Sequence, residues 1–191
     1  MKKVSLLLAA VLFMLCSANA NAEGFLIKAG VNWLNLGDMA KDISGLSLQG
    51  KVGWEAGIGY QTESTAGFSL QPEIYYKQKS FSFNEDGHTY RSRISYIEVP
   101  CNIQWGLDLL ILRPFIFASP FIGVAFGGKG DQPVSLNRRF DYGVGAGLGL
   151  DISKVQIAAQ YRWNFGATVG GLNVFKDEPN GGVVVTFAIK F

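Results

Sequence analysis

Ten charged side chains fall at alternate positions within short apolar stretches, and that spacing limits their chemistry. Lys28, Lys51, Lys77, Arg162 and Lys190 stand against Glu55, Glu73, Glu98, Asp141 and Asp151, five cations to five carboxylates. Charges withdrawn from water must be paired, so this set reads first as a structural network of buried salt bridges. The other reading is a narrow polar conduit or a small-ligand site. Arg162 is the member expected to bridge two carboxylates, because a guanidinium presents a planar fork of donors.

The remaining reactive residues are sparse. His88 is the single histidine and lies beside Glu85 and Asp86. A lipid hydrolase or acyltransferase would need that base held against a nucleophile and oriented by an acid. Ser80, Ser82 and Ser92 are near it in sequence, but no spacing singles one out. One histidine and one mature-chain cysteine, Cys101, do not make a transition-metal site. Asp38, Asp42, Asp177 and Glu178 read as solvated loop carboxylates. Gly143, Gly145, Gly147 and Gly149 alternate within a strand pattern, without the turn, helix and lysine of a phosphate loop. They read as room for bulky neighbours. The residues thus suggest no enzyme, no metal and no cofactor.

The elements that must position the charged set have a period of two. In the last segment Val183, Val185, Phe187, Ile189 and Phe191 share one face, and Gly182, Thr186, Ala188 and Lys190 share the other, with Val184 as the exception. Such alternation is a strand with two unlike faces. It predicts eight strands, at 25–36, 51–61, 67–81, 92–105, 113–127, 140–151, 154–165 and 182–191. The fifth is apolar on both faces, so its orientation stays open. Pro72, Pro100 and Pro120 fall inside strands, where each removes a ladder donor, and bulges are expected there.

Only 17% of the 191 residues are charged and 24 are glycine, against about 25% charged in an ordinary soluble domain. The uncharged run at 114–128 is too short for a membrane helix, which needs about 20 residues, and it carries Pro114 and Pro120. A closed barrel is the remaining way to pair every backbone group inside a bilayer. Residues 1–22 read as a cleaved signal peptide: Lys2 and Lys3, an apolar run, then Ala20-Asn21-Ala22. The mature domain would be 23–191. Cys16 raises a lipoprotein alternative, which the preceding Leu15 disfavours. Cleavage takes Lys2 and Lys3 from 17 basic residues and leaves 15 against 15 acidic. No basic field remains to gather nucleic acid, and Cys101 alone permits no intramolecular disulfide.

Long connections near 37–50, 84–91, 128–139 and 166–180 alternate with short ones near 62–66, 106–112 and 152–153, the asymmetry of an outer-membrane barrel. A soluble lipocalin-like binding barrel would place the apolar face inside instead. Trp33, Trp54, Tyr60, Tyr76, Trp105, Tyr161 and Trp163 all lie on the apolar face, as interfacial girdles do. The fold class is therefore all-β, an eight-stranded antiparallel up-and-down transmembrane barrel.

Several stretches carry a resemblance. They are IKAGVNW, GFSLQPEIYYKQKSF, SYIEVPCNIQW, RPFIFASPFIGVAFG, GVGAGLGLDISKVQIAAQYRWNFG and the terminal VTFAIKF. Together they resemble the PorT-like outer-membrane β-barrel family of Gram-negative bacteria, with L-Q-P-E-I-Y-Y followed by Y-I-E-V-P as the specific part. Cys101 stands where that pattern has an aliphatic residue. The resemblance implies an eight-stranded barrel in the outer membrane, often labelled porin-like. One named member is associated with protein secretion. Phe187, Ile189 and Phe191 are then expected to be the signal read by the barrel-assembly machinery. The expected partners are outer-membrane lipid and an envelope or extracellular protein met through the long loops. A narrow channel for very small solutes is the alternative function.

Overall fold

The computed structural model describes residues 22–35, 47–62, 65–85, 88–109, 111–130, 140–165 and 180–191. They form eight strands: β1 (Ala22–Asn35), β2 (Ser47–Thr62), β3 (Phe68–Glu85), β4 (His88–Gly106), β5 (Leu112–Gly130), β6 (Phe140–Ile152), β7 (Val155–Asn164) and β8 (Asn180–Lys190). Each pairs antiparallel with its sequence neighbours, and β8 returns to β1 to close the barrel. Residues 1–21 and the loops at 36–46, 131–139 and 166–179 lie outside the described residues, as do Asp38, Asp42, Asp177 and Glu178.

The two faces sort as the alternation requires. Phe25, Ile27, Val31 and Trp33 of β1 are exposed on the outer wall, while Lys28 and Asn32 between them are buried. The same holds around the ring, so the apolar faces point outward and the polar faces inward. That arrangement excludes the lipocalin-like alternative, which needs the reverse. The seven expected girdle residues all lie on the outer face, within two bands. Near the loop ends, Trp54 lies tilted against Tyr76 (5.3 Å between centroids) and Tyr76 against Phe126 (5.9 Å), and Tyr161 meets Trp163 edge-on (4.8 Å). Near the turn ends, Phe25 meets Tyr60 edge-on at 5.1 Å, and Phe68 pairs across the ladder with Trp105.

Two expectations are corrected. The stretch 84–91 is not a long loop: β3 runs to Glu85, β4 starts at His88, and these two residues pair directly. The hairpin continues past the point where one face is apolar, so its periodicity fades while its pairing persists. Bulges are likewise not found at the prolines. The register shifts lie at Ala22/Gly24, Lys51/Trp54 and Ser95/Tyr96. A missing N–H interrupts a ladder without inserting a residue. Pairing between β3 and β4 stops after Pro72↔Cys101 and resumes in the same register at Tyr75↔Glu98.

Candidate functional site: the barrel interior

The loop-side half of the lumen is built around one carboxylate. Glu98 on β4 faces inward and accepts from Lys77 Nζ at 2.8 and 3.0 Å and also from Arg162. Lys77 sits 3.1 Å from Glu55 Oε2 as well, so a lysine from β3 spans acids on β2 and β4. All four side chains are almost fully buried. A second pair, Lys79 with Asp141 at 2.7 Å, joins β3 to β6 across the barrel. Each ion here carries a desolvation cost of several kcal/mol, offset only where partners meet it directly. Arg162 also lies 5.2 Å from the Phe121 ring centroid, and Lys79 lies 4.6 Å from that of Tyr96.

The turn-side half is built from amides. Gln61, Gln71, Gln104 and Gln156 are all buried. Gln104 donates to Gln71 at 2.7 Å, and Gln156 donates to Asp151 at 2.8 Å and to Gln71 at 3.1 Å. Lys28 enters this layer from β1, donating to Glu73 at 2.7 Å and to Gln156 at 3.0 Å. Arg113 closes it, donating to Ser69 at 3.0 Å, to the Gly67 carbonyl at 3.1 Å and to Gln104 at 3.1 Å. Asp151 takes Lys190 at 2.8 Å and lies 3.4 Å from Arg113.

Rings fill the wall between β5 and β6. Arg113, Phe115, Phe117, Ser119 and Phe121 are buried, which settles the orientation of β5. Across the ladder the three phenylalanines pair with Gly149, Gly147 and Gly143. A Cβ on Gly143 would come within 2.6 Å of the Phe121 ring, and one on Gly149 would strike Phe115. Tyr75 is accommodated by Gly57 in the same way. Gly143 and Gly149 thus make room for Phe121 and Phe115 on the neighbouring strand, whereas Gly145 and Gly147 lie against Gln160 of β7.

The expected charged set is gathered in one lumen, with Lys51 on β2 but its side chain outside the described residues. Lys77, rather than Arg162, bridges two carboxylates: Arg162 salt-bridges Glu98, and its other edge faces Gln160 and Phe121. Lys79 and Arg113 were not anticipated. Lys79 follows Lys77 by two residues, so the alternation alone could have placed it inside. Arg113 opens the strand whose two faces look alike. His88 begins β4, and its side chain, like those of Glu85, Ser82 and Ser92, lies outside the described residues. Among the described residues no three His, Cys, Asp or Glu side chains are grouped to hold a metal.

The side chains described in the upper lumen enclose one small gap between them. It measures about 20 Å³ and borders Asn32, Lys77, Lys79, Arg162 and Asn164, enough for about one water. At the turn-side mouth an open recess of about 150 Å³ lies between Asp108, Arg113, Asp151 and Lys190.

Residues 21–169 match the outer membrane protein beta-barrel domain. Among solved structures, Neisserial surface protein A is similar at a TM-score of 0.48 and 14% identity, over 90% of this chain and 100% of that one. The attachment invasion locus protein Ail of Yersinia pestis, solved with the heparin analogue sucrose octasulfate, is similar at 0.40 and 13%, over 88% and 98%. No curated protein sequence matches the chain. The domain match spans most of the chain and coincides with a closed, apolar-outside barrel: the chain belongs to the outer membrane protein beta-barrel family.

Proposed function

We propose that this is a small outer-membrane barrel with a filled interior, without catalytic activity, that acts through its loop-side surface on an envelope or extracellular partner. The observation that carries the reading is the Lys77–Glu98–Arg162 cluster with its Glu55 contact. It links β2, β3, β4 and β7 across the lumen. A water column wide enough for a metabolite would have to separate those ions and leave them unpaired in a low-dielectric tube. The L-Q-P-E-I-Y-Y and Y-I-E-V-P segments support a PorT-like kinship within the family. The same reading has residues 1–22 removed on export, which an intact mass beginning at Glu23 tests. It has the barrel delivered through recognition of Phe187, Ile189 and Phe191 by the assembly machinery. Those three side chains lie exposed on the outer face of the last strand or at its end.

The test is solute uptake into proteoliposomes, wild type beside a variant with the 36–46, 131–139 and 166–179 loops shortened. Negligible sugar uptake by both, with loss of a cellular phenotype or captured partner on loop shortening, is expected. Sugar-sized permeation by the wild type would overturn the proposal and favour a porin.

A further inference from the structure

We infer that a depression on the outer wall, centred on Pro72 and Cys101, seats one acyl chain of a glycerophospholipid from the periplasmic leaflet. The depression has a volume of about 280 Å³ and is lined almost entirely by apolar groups. Its shape follows from a row of ladder partners that climbs obliquely across the tilted strands. Phe25 pairs with Tyr60 across β1 and β2, and Pro72 pairs with Cys101 across β3 and β4. The first two are rings in edge-on contact at 5.1 Å and form a wall. The last two are short and leave a hollow beside it. Ile58, Ile74 and Val99 form the upper rim, and the floor runs over Gly59 and the buried Pro100. The floor also includes the stretch where β3–β4 pairing is interrupted. The Glu73 carboxylate stays on the lumen side, bound to Lys28.

Depth identifies the occupant. Cys101 lies five residues from Gly106 at the turn end of β4. At about 3.3 Å per residue and a tilt of about 40°, this puts it roughly 12 Å into the wall. That is acyl-chain depth in the half of the bilayer nearest the short turns, the periplasmic half in this architecture. An apolar hollow offers water no partners, and left empty its lining forfeits dispersion contacts. Among the described residues lining the hollow, the one charged side chain, Glu73, is turned to Lys28 in the lumen and offers a protein partner no fixed point, whereas a flexible chain fits an irregular apolar slot. An aliphatic residue longer than cysteine at position 101 would fill part of it.

The inference rests on the barrel lying in a bilayer, and the test separates the two. The full mature chain is refolded into phosphatidylethanolamine–phosphatidylglycerol vesicles containing increasing fractions of a phospholipid with a diazirine on its acyl chain. After photolysis, labelled peptides are mapped by mass. Labelling around Ile58, Ile74 and Cys101 is expected to saturate at a low probe fraction. It should exceed by several-fold the labelling around Leu148 and Ile157 on the opposite wall, where it should rise in proportion to the probe. Cys101→Phe should bring the hollow down to the level of the opposite wall and leave that wall unchanged. Cys101→Leu makes the same comparison with a smaller side chain, and the wild-type saturation curve needs no variant. Proportional labelling everywhere, or a hollow unaffected by Cys101→Phe, would overturn the inference. So would oxidative cross-linking of two copies through Cys101, which would put a second chain there. Absence of labelling at Ile157 as well would contradict the bilayer-embedded barrel itself.

Discussion

The loop-side and turn-side halves of the lumen both bury polar side chains, yet they solve the problem of burial differently. Above, Glu98 is the shared counter-ion of Lys77 and Arg162; Lys77 also reaches Glu55, while Glu98 is the carboxylate that pairs with Arg162 among the described residues. Below, amides carry most of the bonds, and Lys28, Glu73, Arg113 and Asp151 each have a second partner. Lys28 has Glu73 and Gln156, and Arg113 has Ser69, Gln104 and a backbone carbonyl. An amide both donates and accepts, so a neighbour can be re-satisfied when one bond is lost. A shared carboxylate offers no such exchange. The upper layer should therefore be brittle and the lower one tolerant.

The largest effect should come from Glu98→Ala. It leaves Lys77 and Arg162 buried beside one remaining acid, and about 3–5 kcal/mol should be lost in reversible unfolding from lipid vesicles. A loss under about 1 kcal/mol would mean that the upper lumen is wetter than its packing indicates.

Next is the outer wall, where Ile157 faces lipid. Ile157→Arg should cost about 2–4 kcal/mol near mid-bilayer, and Gln160→Ala, on the inner face of the same strand, much less. The reverse order would invert the two faces of β7.

The ring-against-glycine wall should rank third. Gly149→Leu drives a side chain into Phe115 and should cost about 1–3 kcal/mol. Phe115→Ala in the same chain should recover part of that loss, and additivity of the two changes would break the pairing argument.

The smallest effect is expected in the amide layer. Gln104→Ala removes a bond from Arg113, which keeps others, and should cost about 1 kcal/mol. A loss matching that of Glu98→Ala would erase the contrast between the layers.

Much of this was legible in the residues. The period of two located all eight strands, and it assigned the charged set to one face because lipid and lumen impose opposite chemistry on alternate positions. Strand ends were legible only while that contrast lasted. Beyond residue 81 the segment S-F-N-E-D-G-H-T-Y-R has no apolar face, so 84–91 reads as a loop. The Asp86-Gly87 dipeptide, a short-hairpin signal, pointed to the turn instead. The inner face of β5 was illegible by itself, because Phe115, Phe117 and Phe121 look as lipid-facing as Ile116 and Val124. Its key lay on another strand, in the glycines of β6 that leave room for rings. Partner choice inside the lumen was not legible either. Whether Lys77 or Arg162 spans two acids depends on register between strands far apart in sequence, not on the fork geometry of one side chain.

The central claim is that paired side chains close the lumen. Single-channel recording on residues 23–191, refolded and inserted into a planar bilayer, tests it most directly. The account predicts no discrete conductance steps from the wild type, with insertion verified by resistance of the barrel to protease. Stepwise, ohmic currents that persist with the Lys77–Glu98–Arg162 cluster intact would contradict it.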